Sequence, residues 1–289
     1  MILLSGTYLA DKLYADLNNS CIDACLTIIT VGNDPASKVY VKNKLKACER
    51  VGIKYKHLTI SENITNVEFI KFLDDEIEYI KREFNYRGGI ILQLPAPRRL
   101  ENIFNSKIPS ALDVDGFGMK NLMYMVCQDR KDFLKSLPKN EQEIISHLPA
   151  TPKGIMTLLK EYDISVEGKH VVIIGRSEIV GKPLARLMLD ANATITICHS
   201  KTNNLESICK SADILVAAIG KPKFINSNYI KDNAVVIDVG INRDENGKLC
   251  GDVDFEDVKD KVYAITPVPG GVGPMTVYSL IENTIQASQ

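Results

Sequence analysis

Apolar runs that can form strands alternate along most of the chain with longer amphipathic stretches that can form helices. The clearest strand candidates are residues 26–31, 89–94, 170–174, 194–198, 214–218 and 234–239. Strands that alternate with helices are typical of a mostly parallel sheet, because each parallel pair needs a long crossover connection. The sequence therefore predicts an α/β fold.

The strand candidates form two groups, separated by residues 98–150, which are rich in Asn, Ser, Pro and charge. We expect an N-terminal α/β domain of residues 1–149 plus 275–289, and a doubly wound, Rossmann-like domain of residues 150–274. Thr151-Pro152 suits the start of a helix that runs to about Tyr162, because proline is favoured in a first helical turn. The C-terminal helix is expected to return to the first domain and close a cleft. The hydrophilic stretch 131–147 is interpreted as a surface insertion without a chemical role.

Charge and cysteine content narrow the kinds of partner. The 289 residues include 35 Lys and Arg against 36 Asp and Glu, so nothing favours nucleic acid or a membrane surface over a small-molecule partner. The seven scattered cysteines contain no CxxC pair, which indicates reduced core thiols rather than a metal site. No secretion signal or apolar membrane-spanning run is evident. We expect a cytoplasmic protein.

A strand-glycine-helix pattern indicates dinucleotide binding. The run 170–174 leads into Gly175, Ser177 and Gly181, and such a turn lets backbone N–H groups approach a pyrophosphate at a helix N-terminus. The match to G-x-G-x-x-G is imperfect, so a tight turn without a ligand remains an alternative. An ATP-binding P-loop is disfavoured, because five residues separate the glycines and Pro183 replaces the hydroxyl residue.

The charges near the next strand bear on which dinucleotide binds. An NAD site usually has a carboxylate there for the ribose 2′-OH. Here His199, Ser200 and Lys201 follow residues 194–198, and Arg176 lies beside the glycine turn. These groups attract a 2′-phosphate, which favours NADP. NAD together with inorganic phosphate is the alternative.

Polar residues in the first domain form a candidate chemical site. Tyr40 and Lys44 are four residues apart and share a helical face, although an exposed surface pair has the same spacing. Gln93 ends a predicted buried strand, where ligands bind in α/β sheets. Asp113 and Asp115 lie in an extended turn; Asp115 could accept paired N–H donors from a heterocycle, and the alternative is turn or cap chemistry.

Seven motifs together resemble the bifunctional methylenetetrahydrofolate dehydrogenase/cyclohydrolase family. They occur in the family order: Tyr40-Val41-x-x-Lys44, Leu92-Gln93-Leu94-Pro95, Asp113-Val114-Asp115-Gly116-Phe117, Thr151-Pro152-x-Gly154, Val172 to Gly181, Asp238-Val239-Gly240-Ile241-Asn242, and Pro267-Val268-Pro269-Gly270-Gly271-Val272-Gly273-Pro274-Met275-Thr276. The resemblance covers nearly the whole chain. It implies two α/β domains on either side of a cleft, in a homodimer joined through the cofactor domains.

The resemblance also implies two linked reactions. Hydride leaves the one-carbon bridge of 5,10-methylenetetrahydrofolate for NADP, and water then opens the methenyl cation to 10-formyltetrahydrofolate. In this interpretation Lys44 is the catalytic amine, with a pKa lowered toward neutrality, and Gln93 hydrogen-bonds it. Tyr40 stacks on the substrate's rings, and Asp115 pairs with the pterin.

Further residues are assigned by the same resemblance. Substrate contacts are expected from Leu92, Leu94, Pro269, Gly270, Gly271, Val272 and Gly273. Cofactor contacts are expected from Thr151, Gly175, Arg176, Ser177, Gly181, Ser200 and Ile241. The alternatives are a monofunctional dehydrogenase, a non-catalytic folate or nucleotide sensor, and an unrelated NADP oxidoreductase.

Overall fold

The computed structural model describes residues 1–17, 23–126 and 147–287 and contains two compact units. One unit, here the six-strand unit, comprises Met1–Leu13 and Thr151–Thr276. The other, here the three-strand unit, comprises Tyr14–Ala150 and Val277–Gln289. Residues 131–146 of the predicted surface insertion lie outside the described residues.

Strands and helices alternate as the sequence pattern predicts. The strands are β1 (Ile2–Leu3), β2 (Cys25–Val31), β3 (Lys54–Ile60), β4 (Gly88–Leu92), β5 (His170–Ile174), β6 (Thr194–Cys198), β7 (Ile214–Ala217), β8 (Val235–Asp238), β9 (Asn242–Arg243), β10 (Leu249–Cys250) and β11 (Ala264–Ile265). The described α-helices are α1 (Gly6–Leu17), α2 (Pro35–Val51), α3 (Asn66–Phe84), α4 (Arg98–Lys107), α5 (Met119–Val126), α6 (Ala150–Glu161), α7 (Gly181–Asp190), α8 (Leu205–Cys209), α9 (Phe255–Val258) and α10 (Val272–Gln286).

The three-strand unit has a parallel sheet of order β3-β2-β4. The central strand β2 is buried along its whole length, because β3 and β4 pair with its two edges. One face of this sheet packs against α3 and α4, where Phe69, Leu73 and Leu100 are fully buried. A capping box of Thr65 and Glu68 fixes the start of α3.

The six-strand unit has a parallel sheet of order β1-β11-β8-β7-β5-β6. Its core combines apolar residues of β5, β7 and β8 with residues of the flanking segments, among them Cys209, Ile230 and Val258. The chain runs from β5 to β6 on one side and then continues with β7 on the other side of β5. The order of strands therefore reverses between β5 and β7, which is the topological switch point of a doubly wound sheet.

The compact units differ from the expected domains at their ends. Residues 1–13 belong to the six-strand unit rather than the three-strand unit, because Ile2 and Leu3 pair with Ala264 and Ile265 of β11. The C-terminal helix does return to the three-strand unit, as expected: Asn283 donates to the carbonyl oxygens of residues 114 and 148.

Candidate active site

Helix α2 carries Tyr40 and Lys44 in the three-strand unit. The Asp34 carboxylate caps its start by accepting the N–H of Ser37 at 2.7 Å, and Gly52 ends it in the left-handed region. Lys44 faces the interior and is 7% exposed, whereas Tyr40, one turn earlier, is half-buried. Lys38, Lys42 and Lys46 of the same helix are exposed. The interpretation of Tyr40 and Lys44 as a surface pair is therefore wrong for the lysine.

The buried amine has a defined partner. Lys44 Nζ donates to Gln93 Oε1 at 2.9 Å, which is the predicted hydrogen bond. Gln93 is held in turn, because its backbone N–H donates to the carbonyl of Ile29 and its Nε2 donates to the carbonyl of Leu94, at 2.8 and 2.9 Å. Ser37 Oγ also donates to Leu94 O at 3.3 Å, which ties α2 to the segment after β4.

Burial and a nearby charge act in opposite directions on the pKa of Lys44. Burial lowers the pKa of Lys44, while the negative charge of Asp115 opposes that shift. Burial likewise raises the pKa of Asp115, and the Lys44 charge opposes it. The sequence-based expectation of a lowered lysine pKa is confirmed in direction, with burial as the largest cause. An amine whose pKa is lowered gives up its proton more readily than an exposed lysine does.

The two aspartates of the turn have different surroundings. Asp113 is fully buried; its carboxylate accepts the backbone N–H groups of Gly116, Phe117 and Gly118 and the side-chain amide of Asn121. Burial raises the pKa of Asp113 to about 6, although these donors act in the opposite direction. Asp113 thus matches the turn-chemistry alternative, whereas Asp115 has no comparable set of N–H donors among the described residues.

Two asparagines that sequence reasoning missed hold the Asp115 segment. Asn121 Nδ2 donates to the carbonyls of Ser110 and Asp113, and Asn283 Nδ2 donates to the carbonyls of Val114 and Leu148. Both asparagines are buried. Neither lies in a motif that suggests chemistry, and only their place on apolar helical faces could have drawn attention to them.

The remaining predicted substrate residues lie in both units. Leu92 is buried at the end of β4, and Leu94 follows Gln93, so these two leucines flank Gln93 in the sequence. Pro269 to Gly273 lie in the six-strand unit, where Gly270 has φ +106 and its carbonyl accepts the N–H of Thr7 at 2.9 Å. Pro269 is exposed, and Val272 is buried at the start of α10.

The predicted glycine turn lies at the switch point of the six-strand unit. Gly175 follows β5 with φ +142, and a Cβ there would collide with the carbonyl oxygen of Ala218. A Cβ at Gly181 would collide with the carbonyl oxygen of Gly175. Ser177 Oγ accepts the N–H groups of Val180 and Gly181, the residue before α7 and its first residue. Gly181 therefore gives the close helix–strand approach of a dinucleotide fingerprint despite its altered spacing.

Groups suited to a 2′-phosphate lie at the ends of neighbouring strands. Ile174 and Cys198 are paired at the carboxyl ends of β5 and β6. Arg176 and Ser200 each come two residues after these strand ends, at the same edge of the sheet. Both are exposed, and Arg176 forms no ion pair among the described residues. A bare glycine turn, a helix N-terminus and an uncommitted cation together fit a phosphorylated dinucleotide.

The other two predicted cofactor residues are in the same unit. Ile241 is 45% exposed and is the last residue of the loop between β8 and β9. Thr151 lies in the first turn of α6, with its Oγ1 3.0 Å from that of Thr276. Sequence reasoning missed Asp252. This fully buried carboxylate accepts the backbone N–H groups of residues 219–221 and the side-chain amide of Asn242, which follows Ile241.

Other expectations concern thiols, metals and membranes. The cysteines Cys25, Cys48, Cys198, Cys209 and Cys250 are free and buried, which confirms core thiols for these five; Cys21 and Cys127 lie outside the described residues. Within residues 1–17, 23–126 and 147–287, no cluster of three His, Cys, Asp or Glu side chains suits a metal ion. None of the helices in that same part of the chain is long and apolar enough to cross a membrane.

The two units thus have the features of an NAD(P)-binding α/β enzyme with a separate lysine-containing unit. Comparison with known families gives two matches that together cover most of the chain. The tetrahydrofolate dehydrogenase/cyclohydrolase catalytic domain matches residues 4–115, and the NAD(P)-binding domain of the same family matches residues 149–289. The chain belongs to the tetrahydrofolate dehydrogenase/cyclohydrolase family.

Individual relatives are similar over nearly their whole lengths. The bifunctional protein FolD of Agathobacter rectalis is 47% identical over 288 residues, which cover 98% of this chain and 96% of the relative. The crystal structure of the FolD enzyme from Campylobacter jejuni has a TM-score of 0.87 at 41% identity, covering 100% of this chain and 98% of that one. The Trypanosoma brucei enzyme, solved with NADP and an inhibitor, has a TM-score of 0.84 at 29% identity, covering 99% and 97%.

Proposed function

We propose that this protein catalyses both reactions of its family: oxidation of 5,10-methylenetetrahydrofolate to the 5,10-methenyl cation with NADP, and hydrolysis of that cation to 10-formyltetrahydrofolate. The observation that carries the proposal is the buried amine of Lys44, which donates to Gln93 and has a lowered pKa. Burial of a lysine side chain is costly, and a lysine without a chemical role is usually exposed. The burial of Lys44 beside Gln93 and Asp115 therefore favours a chemical role.

Lys44 is assigned the proton transfers of hydrolysis. Water adds to the bridging carbon and loses a proton to the neutral amine. The resulting ammonium returns that proton to N5 as the bond from the carbon to N5 breaks. The remaining hydroxyl proton leaves for solvent as the formyl C=O forms, so one proton is released overall. Gln93 fixes the amine for these transfers through the bond of 2.9 Å.

Tyr40 and Asp115 are assigned the orientation of the substrate. The Tyr40 ring is half-buried one helical turn before Lys44, where it can stack on a flat ring. Asp115 accepts paired N–H groups of the pterin, and its charge also raises the pKa of Lys44. Leu92, Leu94 and residues 269–273 complete the proposed substrate contacts.

NADP is the proposed cofactor, and its nicotinamide accepts the hydride when bound. The glycine turn of Gly175, Ser177 and Gly181 is proposed to bind the pyrophosphate at the N-terminus of α7. Arg176 and Ser200 are proposed to bind the 2′-phosphate. Thr151 and Ile241 are proposed as further cofactor contacts.

A coupled assay of the full chain tests this function. With 5,10-methylenetetrahydrofolate and NADP, we expect NADPH and 10-formyltetrahydrofolate; with the methenyl compound alone, we expect hydrolysis faster than in buffer. NADPH without hydrolysis would instead favour a monofunctional dehydrogenase. Binding of both ligands without turnover would favour a sensor, and the absence of both activities would refute the proposal. Parallel assays with NAD test the cofactor preference.

We further propose a homodimer joined through the six-strand units, located in a reducing compartment such as the cytoplasm. The edge strand β6 exposes Ile197 to 41%, and an unpaired apolar strand edge is usually covered by a partner. The five free buried cysteines suit a reducing compartment. Sedimentation at several protein concentrations tests the dimer, and a constant monomer mass would exclude it.

A further inference from the structure

Asp252 is a fully buried carboxylate whose four hydrogen-bond donors come from the loop after β7 and from Asn242 at the start of β9. Its Oδ2 accepts the N–H groups of Ile219 and Gly220 at 2.6 and 3.1 Å. Its Oδ1 accepts the N–H of Lys221 at 2.8 Å and the side-chain amide of Asn242 at 2.9 Å. These four donors take the place of the water that would otherwise bind the carboxylate oxygens.

These donors come shortly after β7 and β8 in the chain, the two strands on the opposite side of the switch point from β5 and β6. Ile219, Gly220 and Lys221 come after β7, and Asn242 comes after β8 and next to the proposed cofactor residue Ile241. In a doubly wound sheet the dinucleotide lies across the carboxyl ends of the strands. Because the glycine turn and Arg176 border the ADP half, the loops after β7 and β8 border the nicotinamide half.

A second carboxylate fixes the backbone of Asp252 itself. Asp238 accepts the N–H groups of Gly240, Asp252 and Val253 at 3.0, 3.0 and 2.9 Å. The two carboxylates also occupy the space next to two glycines: a Cβ at Gly240 would collide with Asp252, and one at Gly251 would collide with Asp238. Contacts within the protein therefore tie both segments to Asp252 and Asp238.

We propose that Asp252 is a positioning residue for the nicotinamide half of the dinucleotide, acting by fixing the loops after β7 and β8. This inference rests on the proposed function and deepens it. Loops that are ordered before binding do not lose conformational freedom on binding, so their release weakens affinity and misplaces the reacting ring. The proton chemistry assigned to Lys44 needs no dinucleotide and is unaffected.

The test compares Asp252→Asn with Asp244→Asn in the full chain. Asp244 is a matched control, because its carboxylate also accepts backbone N–H groups, from Asn246 and Lys248, but in an exposed turn. In Asp252→Asn an amide N–H₂ replaces one acceptor oxygen and faces N–H donors. We expect KM for NADP to rise at least about tenfold and the dehydrogenase kcat to fall. The control should match the unaltered protein.

Two further measurements separate positioning from general damage to the fold. Affinity for adenosine 2′,5′-bisphosphate, which has only the adenosine end of NADP, should stay within about threefold, and so should the rate of methenyl hydrolysis. Equal losses in all three measurements, or no loss of NADP affinity, would overturn the inference. If Asp252→Asn does not fold, Asn242→Ala removes a single donor to Asp252 and should give the same selective loss in weaker form; an unaltered KM there would overturn the inference equally.

The outcome can be distinguished from failure of the proposed function. If the unaltered protein has neither activity, the proposed function fails. The comparison of NADP with adenosine 2′,5′-bisphosphate binding still tests Asp252 in that case, because it needs no turnover. If the unaltered protein is active and the Asp252 variant binds NADP normally, only the inference is wrong.

Discussion

Replacement of the buried amine in Lys44→Met tests the mechanism most directly. Methionine is similar in length and apolar, so the packing of α2 is retained and no amine has to be buried. The substitution leaves Gln93 Oε1 without its donor, which costs about 1–3 kcal/mol, and relief from burying the amine offsets part of that cost. We therefore expect the free energy of unfolding to change by no more than about 2 kcal/mol.

The effect on hydrolysis should be much larger than the effect on stability. A positioned general base contributes roughly 10²–10⁴-fold, which corresponds to about 3–5 kcal/mol of activation free energy. The decay of methenyl absorbance gives this rate, and NADPH formation gives the dehydrogenase rate, which should fall less because hydride transfer needs no proton from Lys44. Lys46→Met, an exposed position on the same helix, is the control. Hydrolysis by Lys44→Met within about threefold of the unaltered rate would remove Lys44 from the mechanism.

Three further predictions follow from charges in the two units. Because the Asp115 charge raises the pKa of Lys44, Asp115→Asn should move the acidic limb of the pH–rate profile for hydrolysis to lower pH; an unmoved limb would contradict their coupling. Arg176→Ala should weaken NADP binding more than NAD binding in titrations, since only NADP has the 2′-phosphate, and equal losses would contradict the charge argument. Burial raises the pKa of Asp238 to about 7, so the folded state binds more protons than the unfolded state between about pH 4 and 7. The stability from Asp238 is thus present at low pH and is lost toward pH 7, by at most about 1.4 kcal/mol per pH unit; thermal unfolding of Asp238→Asn should depend less steeply on pH, and an unchanged slope would argue against the shift.

The apolar strands were predictable, and the two-residue and charged strands were not. Residues 170–174 match β5, because a continuous apolar run identifies a strand covered on both sides. Residues 194–198 match the edge strand β6, in which Thr and Ile alternate. Strand β3 (Lys54–Ile60) lies at a sheet edge, and its residues are either exposed or half-buried. Because it includes charged residues, it lacks the apolar run by which the other strands were predicted. Strand β1 has two residues and is a strand only through its pairing with β11, a contact of high sequence separation.

Some residues of the site were predictable from short sequence motifs, and others were not. The hydrogen bond between Lys44 and Gln93 was predicted by the family resemblance, whereas the spacing of Tyr40 and Lys44 alone also allowed an exposed pair. Asp252 was missed because its partners lie in loops 10 to 33 residues away in the chain, and no local pattern identifies such partners.

Residue type alone could not assign different roles to Asp113 and Asp115. Both are carboxylates in one turn, and from the sequence either could bind a ligand or cap the turn. The structure separates them by their donors: four N–H groups converge on Asp113, whereas Lys44 is the charge that acts on Asp115. A carboxylate whose acceptor positions are filled by its own turn has no capacity left for a substrate. For this reason the substrate contact is proposed for Asp115 and not for Asp113.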